Sequence, residues 1–197
     1  GRYQEALNTY NKALSIDPGS VCAWAGKGDM LTNLGRSKDA LDAYDNALSL
    51  DPASVYAWTW KGATLNKLYK FQDALGAENK ALSINPNYTN AWIFKGNSLS
   101  SMGRYQEALD VQDRVLAIEP ENEFAWASKG GLLGYLGQYD EALAATNKAL
   151  EINPNSTTAQ YNKQYLLSKT GINSSATRTS GAITLTPAVT TTSPGHS

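Results

Sequence analysis

The chain has 197 residues, of which 42% are hydrophobic and 18% charged, a composition that excludes a chain disordered throughout. Its formal net charge is −1 and no basic block is present, which argues against binding to nucleic acid or to an anionic membrane surface. Polar residues interrupt every apolar run, so we expect no membrane insertion.

A short phrase recurs along the chain at a fixed interval. GRYQEAL stands at 1–7 and again at 103–109, and related phrases begin at Gly35, Tyr69 and Gly137, so each step is 34 residues. The same step separates the prolines Pro18, Pro52, Pro86, Pro120 and Pro154, the tryptophans Trp24, Trp58, Trp92 and Trp126, and the glycines Gly28, Gly62, Gly96 and Gly130. A period of this length indicates a stacked repeat architecture.

The predicted elements follow in chain order as pairs of short helices. In the first full unit, Trp24, Gly28 and Leu31 are spaced to share one helical face, and Gly35 marks the end of that helix. Pro52 ends the second helix, because the residue before a proline is driven out of the α region. We expect the second helix of a truncated repeat at 1–20, full repeats at 21–54, 55–88, 89–122 and 123–156, a capping helix at 157–171, and a disordered Ser- and Thr-rich tail at 172–197.

The pattern within one unit resembles the tetratricopeptide repeat, a pair of antiparallel helices with a 34-residue period. The matching positions are Trp92, Gly96, Gly103, Tyr105, Ala108 and Pro120. The resemblance extends over residues 1–171 and implies an all-α, right-handed α-solenoid of antiparallel helix pairs, with the first helix of each pair lining a concave groove. It also implies a non-enzymatic scaffold that binds protein segments. On this alignment the opening phrase belongs to a second helix, so we expect the first repeat to start upstream of Gly1.

A column of lysines departs from the family pattern. A lysine stands just before the first-helix glycine column, where the family has an apolar residue, at Lys27, Lys61, Lys95, Lys129 and Lys163. We interpret these lysines as structural, with each stem covering a tryptophan and each amine reaching water or a loop carboxylate. The alternative is a cationic ladder that contacts a ligand.

Two further positions depart from the pattern. Tyr69 replaces glycine at a turn between helices, and a side chain there costs on the order of 1 kcal/mol if the left-handed conformation is kept. In another column, aromatic residues in the first repeats give way to polar ones later in the chain, so we expect packing to loosen toward the C-terminus. That column contains Tyr10, Tyr44, Glu78, Gln112 and Thr146.

No catalytic constellation is present in the sequence. Cys22 is the only cysteine and His196 the only histidine, and His196 lies in the predicted tail, where it cannot form a fixed nucleophile–base pair. Gly130, Gly131 and Gly134 lie in a predicted helix without a preceding strand, so they indicate close packing or a thinned wall rather than a dinucleotide fingerprint. We expect no enzyme activity, no metal, no cofactor and no small-molecule substrate.

The resemblance places a ligand groove on first-helix columns that face away from the Trp and Gly positions. The charged residues in those columns are Asp29, Lys67 and Lys169. Aromatic side chains offer contact area at low entropic cost and Asn can pair with backbone amides, so we expect an extended or helical ligand segment with little charge. The expected groove residues are Tyr56, Trp60, Asn66, Asn90, Ile93, Phe94, Asn97, Phe124, Tyr135, Tyr161 and Tyr165. The alternative is that part of these aromatics pack between adjacent helices and contact no ligand.

The same columns lack a carboxylate clamp. In family members that bind the acidic C-terminus of heat-shock chaperones, Lys, Asn and Arg side chains hold the terminal carboxylate. Here Ala25, Thr59, Ile93 and Ala127 stand where the first clamp lysine belongs. We therefore expect no carboxylate-terminal peptide as ligand.

The leading functional hypothesis is a protein–protein interaction scaffold in the cytoplasm, with a protein or peptide as partner and no nucleic acid. One alternative is self-assembly through the first half-unit, where Tyr3, Ala6, Leu7, Tyr10 and Leu14 would dock on a second copy of the chain. Another is a regulatory or recruiting domain of a larger enzyme whose catalytic part lies upstream.

Overall fold

The computed structural model describes residues 1–171, which form ten α-helices and no strand. The helices are α1 (Arg2–Ile16), α2 (Val21–Asn33), α3 (Ser37–Leu50), α4 (Val55–Lys67), α5 (Phe71–Ile84), α6 (Thr89–Ser101), α7 (Tyr105–Ile118), α8 (Glu123–Tyr135), α9 (Tyr139–Ile152) and α10 (Thr157–Thr170). Each helix packs against the next along the chain, which confirms the predicted all-α solenoid. The predicted disordered tail, including His196, lies outside the described residues.

Helix ends follow from single residues at fixed places in the repeat. Most of the first helices start at a polar N-cap whose side chain accepts a hydrogen bond from the N–H three residues later, at 2.9–3.3 Å. These caps are Ser20, Ser54, Asn122 and Ser156. Left-handed residues close all five first helices, α6 included, at their C-terminal ends, and they are Gly35, Tyr69, Gly103, Gly137 and Gly171.

Tyr69 is the one non-glycine residue with positive φ in the described part of the chain, at φ 59°. It keeps the turn that its glycine counterparts make, since the Lys70 N–H donates to the Leu65 carbonyl at 3.0 Å. The Tyr69 side chain is 82% exposed and meets the Phe71 ring edge-on. Tyr69 therefore keeps the left-handed conformation, which is the condition under which the sequence predicts a cost at this position.

The periodic tryptophans and prolines are joined by a hydrogen bond in every repeat. Each indole Nε1 donates to the carbonyl of the proline six residues earlier, at 2.7–2.9 Å. The donors are Trp24, Trp58, Trp92 and Trp126. In α10, Gln160 replaces the tryptophan, and its Nε2 donates to the Pro154 carbonyl at 2.8 Å. The polar substitution at the last helix therefore preserves the bond while it removes the aromatic surface.

The lysine column lies against these tryptophans. The Nζ atoms of Lys27, Lys61, Lys95 and Lys129 stand 5.0–5.6 Å from the ring centroids. Two of these amines also pair with a carboxylate of the preceding helix, and both distances are 2.5 Å; the pairs are Lys61–Asp45 and Lys129–Asp113. These contacts support the structural interpretation of the column.

Packing within the repeats does not loosen toward the C-terminus, so that expectation was wrong. In each repeat, the glycine of the first helix faces the second-helix position that changes from aromatic to polar along the chain. The pairs are Gly28–Tyr44, Gly62–Glu78, Gly96–Gln112 and Gly130–Thr146. The three atoms nearest to a Cβ on Gly28 all belong to the Tyr44 ring, whereas a Cβ on Gly130 would also lie 3.1–3.2 Å from backbone atoms of α9. Opposite Thr146, the smallest of the four facing side chains, the backbones of the two helices therefore approach closely and occupy the space that a larger side chain would fill.

Candidate binding groove

The first helices α2, α4, α6, α8 and α10 lie side by side and present one face. Contacts join α2 to α4, α4 to α6, and α8 to α10, whereas α6 and α8 approach each other less closely. Tyr56, Asn90, Phe124, Tyr135, Tyr161 and Tyr165 are exposed on these helices, and Trp60, Asn66, Ile93, Phe94 and Asn97 are half-buried. Ile93 adds an apolar side chain to this face, and Asn90 makes no side-chain hydrogen bond within residues 1–171.

Three of the predicted residues form a continuous aromatic step. The Tyr56 and Trp60 ring centroids are 5.9 Å apart, and the Trp60 ring meets Phe94 edge-on with centroids 5.4 Å apart. Trp60 Nε1 is buried and has no hydrogen-bond partner in the described part of the chain. The structure therefore brings these aromatics together across the junction of α4 and α6.

Asp29 supports the aromatic step, a role that the sequence did not indicate. The Tyr44 hydroxyl donates to Asp29 Oδ1 at 2.7 Å, and the Tyr56 hydroxyl donates to Asp29 Oδ2. Burial and the nearby carboxylate raise the pKa of Tyr44 and of Tyr56, so both remain neutral donors. Both carboxylate oxygens of this groove residue are thus occupied by hydroxyl groups of the chain itself.

Asn66 points into the joint between repeats rather than into the groove. Its Nδ2 donates to Glu78 Oε1 at 3.0 Å and to Ser98 Oγ at 2.8 Å. Ser98 Oγ also lies 2.8–2.9 Å from both Glu78 oxygens. Glu78 is fully buried, and burial raises its pKa to about 7. We call Asn66, Glu78 and Ser98 the carboxylate joint. It connects α4, α5 and α6, and two of these helices, α4 and α6, also carry the aromatic step.

The C-terminal half of the face holds two cavities. The first, of about 150 Å3, has Asn97, Gln112 and Ser128 in its wall, and the second, of about 90 Å3, lies between Tyr165 and Gly134. Three residues line both cavities, and they are Gly131, Tyr135 and Asn162. We call this pair of cavities the glycine pocket.

The tyrosines around the glycine pocket differ in their partners. The Tyr135 ring stacks on Tyr105 of α7, with centroids 5.0 Å apart and planes 10° from parallel. Lys169 Nζ stands 5.6 Å from the Tyr165 ring centroid, and Tyr161 is 70% exposed. Phe124 lies apart from this group, in a surface depression beside the loop that contains Glu119.

Features of other site classes are absent from residues 1–171. No group of His, Cys, Asp and Glu side chains there has the arrangement of a metal site. Cys22 is exposed and unpaired within the same residues. Among the helices of the described chain, none combines the length and the apolar character that a membrane span requires.

An array of antiparallel helix pairs with one aromatic and amide-rich face defines a helical-repeat scaffold. Three family models match the chain, all of them tetratricopeptide repeat models, at residues 1–63, 89–122 and 124–156. The chain therefore belongs to the tetratricopeptide repeat family, and its predicted right-handed solenoid of antiparallel helix pairs is confirmed. Proteins of this fold are generally interaction scaffolds without catalytic activity.

Solved structures of this family align along most of the chain. YrrB, whose description is a TPR protein with an unusual peptide-binding site, is 28% identical with a TM-score of 0.69, over 83% of this chain and 84% of YrrB. MamA is 27% identical with a TM-score of 0.70, over 77% of this chain and 89% of MamA. TTC0263 of Thermus thermophilus, at 23% identity and a TM-score of 0.71, covers 85% of this chain and 91% of its own length and shares the fold. A search of curated proteins finds no match.

Proposed function

We propose that the chain is a non-enzymatic scaffold that binds an extended or helical, largely uncharged protein segment along the face of its first helices. The observation that carries the proposal is the aromatic step, which joins neighbouring repeats on a face where the Asp29 carboxylate is already bonded by two tyrosine hydroxyls. Aromatic side chains at such junctions supply large contact areas at a low entropic cost. The peptide-binding site named for YrrB supports the same use of this fold.

The clamp positions agree with an uncharged ligand. Ala25, Thr59 and Ala127 are 0–5% exposed, and the half-buried Ile93 is apolar, so that column presents no charge to a ligand. We include in the proposal that the partner is a protein or peptide rather than a nucleic acid or small molecule. A cytoplasmic location is the accompanying prediction, which fractionation of cells that express the natural protein would test.

The test begins with selection of 12-residue phage-displayed peptides against the full chain. Binding of the labelled consensus peptide is then measured by fluorescence anisotropy. The double variant Trp60→Ala with Phe94→Ala should weaken binding about tenfold or more, because it removes two of the three rings. Tyr3→Ala is the control, since it removes an exposed aromatic ring from α1, outside the groove. Unchanged affinity of the double variant, with helicity intact by circular dichroism, would place the binding surface elsewhere.

Self-assembly through α1 is a second candidate, favoured by the exposure of this helix. Tyr3 is 51% exposed, and Ala6 and Tyr10 are half-buried, whereas Ala40 and Tyr44 at equivalent positions are 0% exposed. Docking of α1 on a second copy would bury that surface. Light scattering across a hundredfold range of protein concentration would test it, and a constant monomer mass would contradict it.

A further inference from the structure

Three polar side chains occupy one column of the second helices, at Glu78, Gln112 and Thr146, and all are 0–1% exposed. Glu78 has hydrogen-bond partners in the carboxylate joint. Gln112 Oε1 and Thr146 Oγ1 have none within residues 1–171. A buried polar atom without a partner destabilises a folded protein, so each of these two atoms needs an explanation.

Their positions distinguish Gln112 from Thr146. The Gln112 carboxamide covers Gly96 and forms part of the wall of the glycine pocket. Thr146 is enclosed between α8 and α9 against Gly130 and lines neither cavity. A group that enters the pocket therefore comes against the side chain of Gln112, whereas Thr146 lines neither cavity.

Gly131 gives an independent reason to regard the pocket as a ligand site. It lies within α8, and glycine in the interior of a helix destabilises it relative to alanine. A Cβ on Gly131 would meet only Asn162, at 3.4–3.8 Å, which is ordinary contact. Packing therefore does not require this glycine, in contrast to Gly130, where a Cβ would overlap Thr146. The absent side chain instead leaves the floor of both cavities open.

We propose that the glycine pocket binds one aliphatic residue of an extended, uncharged peptide segment, and that the Gln112 carboxamide pairs with the backbone of that segment. This inference rests on the proposed function and specifies its partner. Within residues 1–171 no charged side chain lines either cavity, so an acidic or basic residue would be desolvated there without compensation.

The size and the polar groups of the pocket define the segment further. The second cavity, of about 90 Å3, is smaller than the roughly 150 Å3 of a cavity that holds a benzene ring, so it suits Val or Leu better than an aromatic ring. Tyr165 and Leu166 supply the apolar wall. Beside them, Gln112 and Asn97 offer carboxamides, each of which can both donate to and accept from a peptide backbone.

Gln112→Leu is the first test, with the selected 12-residue peptide as the probe. Leucine has a similar volume and removes the unpartnered amide, so we expect Tm to rise or stay constant while binding weakens about fivefold. Thr146→Val is the matched control, because it removes the other unpartnered atom outside the pocket. In this control, Tm should rise or stay constant, and the affinity for the peptide should not change.

Gly131→Ala is the second test, and it should raise Tm while it weakens binding about tenfold, because the added methyl group fills the pocket floor. Gly76→Ala is its control, since Gly76 lies within α5 with nothing near its Cβ position. The control should raise Tm without a change in affinity. A purely structural role for Gln112 and Gly131 would not weaken binding in variants whose Tm is unchanged or raised.

The outcomes separate this inference from the proposed function. Unchanged affinity in both pocket variants, together with weaker binding of the Trp60 and Phe94 double variant, would overturn the inference and leave the groove proposal standing. A fall in both Tm and affinity for Gln112→Leu, or selected peptides dominated by charged residues, would also overturn it. Unchanged affinity in the pocket variants and in the double variant would overturn both.

Discussion

Glu78→Gln should make the chain more stable at neutral pH and remove a pH dependence that runs opposite to that of an ordinary paired carboxylate. Glu78 is fully buried, and its pKa is raised from 4.5 to about 7 in the folded chain. The hydrogen bonds from Ser98 and Asn66, and the nearby Lys95, lower this pKa but do not offset the burial.

The sign and the size follow from proton binding in the two states. Between pH 4.5 and about 7 the folded chain holds a proton on Glu78 that the unfolded chain has released. The free energy of unfolding therefore falls as pH rises through this window, by up to about 3 kcal/mol. Glutamine keeps a hydrogen-bonding head of the same size without the charge, so the variant lacks this loss.

Chemical denaturation followed by circular dichroism at pH 4.5, 6, 7 and 8 would measure the effect. The stability difference between Glu78→Gln and the parent should be near zero at pH 4.5 and largest at pH 7–8. Glu107→Gln is a control without this loss at neutral pH, because Arg104 lowers the pKa of Glu107, so its contribution is present at pH 6–8 and is lost only as pH falls toward and below 4.5. A Glu78→Gln difference that is constant across this range, or largest at pH 4.5, would refute the assignment of a neutral, buried Glu78.

Three further substitutions test individual contacts by thermal melts. Tyr69→Gly should raise Tm by about 2–4 °C, because it relieves about 1 kcal/mol of left-handed strain; an unchanged or lower Tm would contradict this. Trp126→Phe should reduce the free energy of unfolding by about 1 kcal/mol through loss of the bond to the Pro120 carbonyl, and an unaltered value would show that bond to be energetically neutral. Asn79→Asp should stabilise the chain by up to about 1 kcal/mol at low salt, since it places beside Lys95 the carboxylate that the Lys61 and Lys129 repeats have; an effect that persists in 1 M salt would contradict an ionic origin.

The sequence predicted the features that depend on the period. The 34-residue step identified helix pairs, and the Gly35 column identified the left-handed turns. Such features depend on residues close together in sequence, so a single unit contains the signal. The departure at Tyr69 was visible for the same reason.

The interactions that the sequence did not predict join different helices. The 34-residue spacing assigns Asn66 to a groove column, yet its amide donates hydrogen bonds to Glu78 and Ser98 between the repeats. Asp29 was visible as a charge on the groove face, but its bond to Tyr56 links two repeats. Which side chain meets which in these cases depends on rotamers and on the distance between helices, and neither is periodic.

Because each periodic indole is hydrogen-bonded to a proline carbonyl in the loop before its helix, tryptophan fluorescence can follow the individual repeats. Each of Trp24, Trp58, Trp92 and Trp126 reports on its own interrepeat loop, whereas Trp60 lies in the aromatic step. In a nearest-neighbour solenoid the units can open at different denaturant concentrations. A set of variants that each retain one tryptophan would therefore resolve the order in which the repeats unravel, and the variant that keeps only Trp60 would signal occupancy of the groove through its emission.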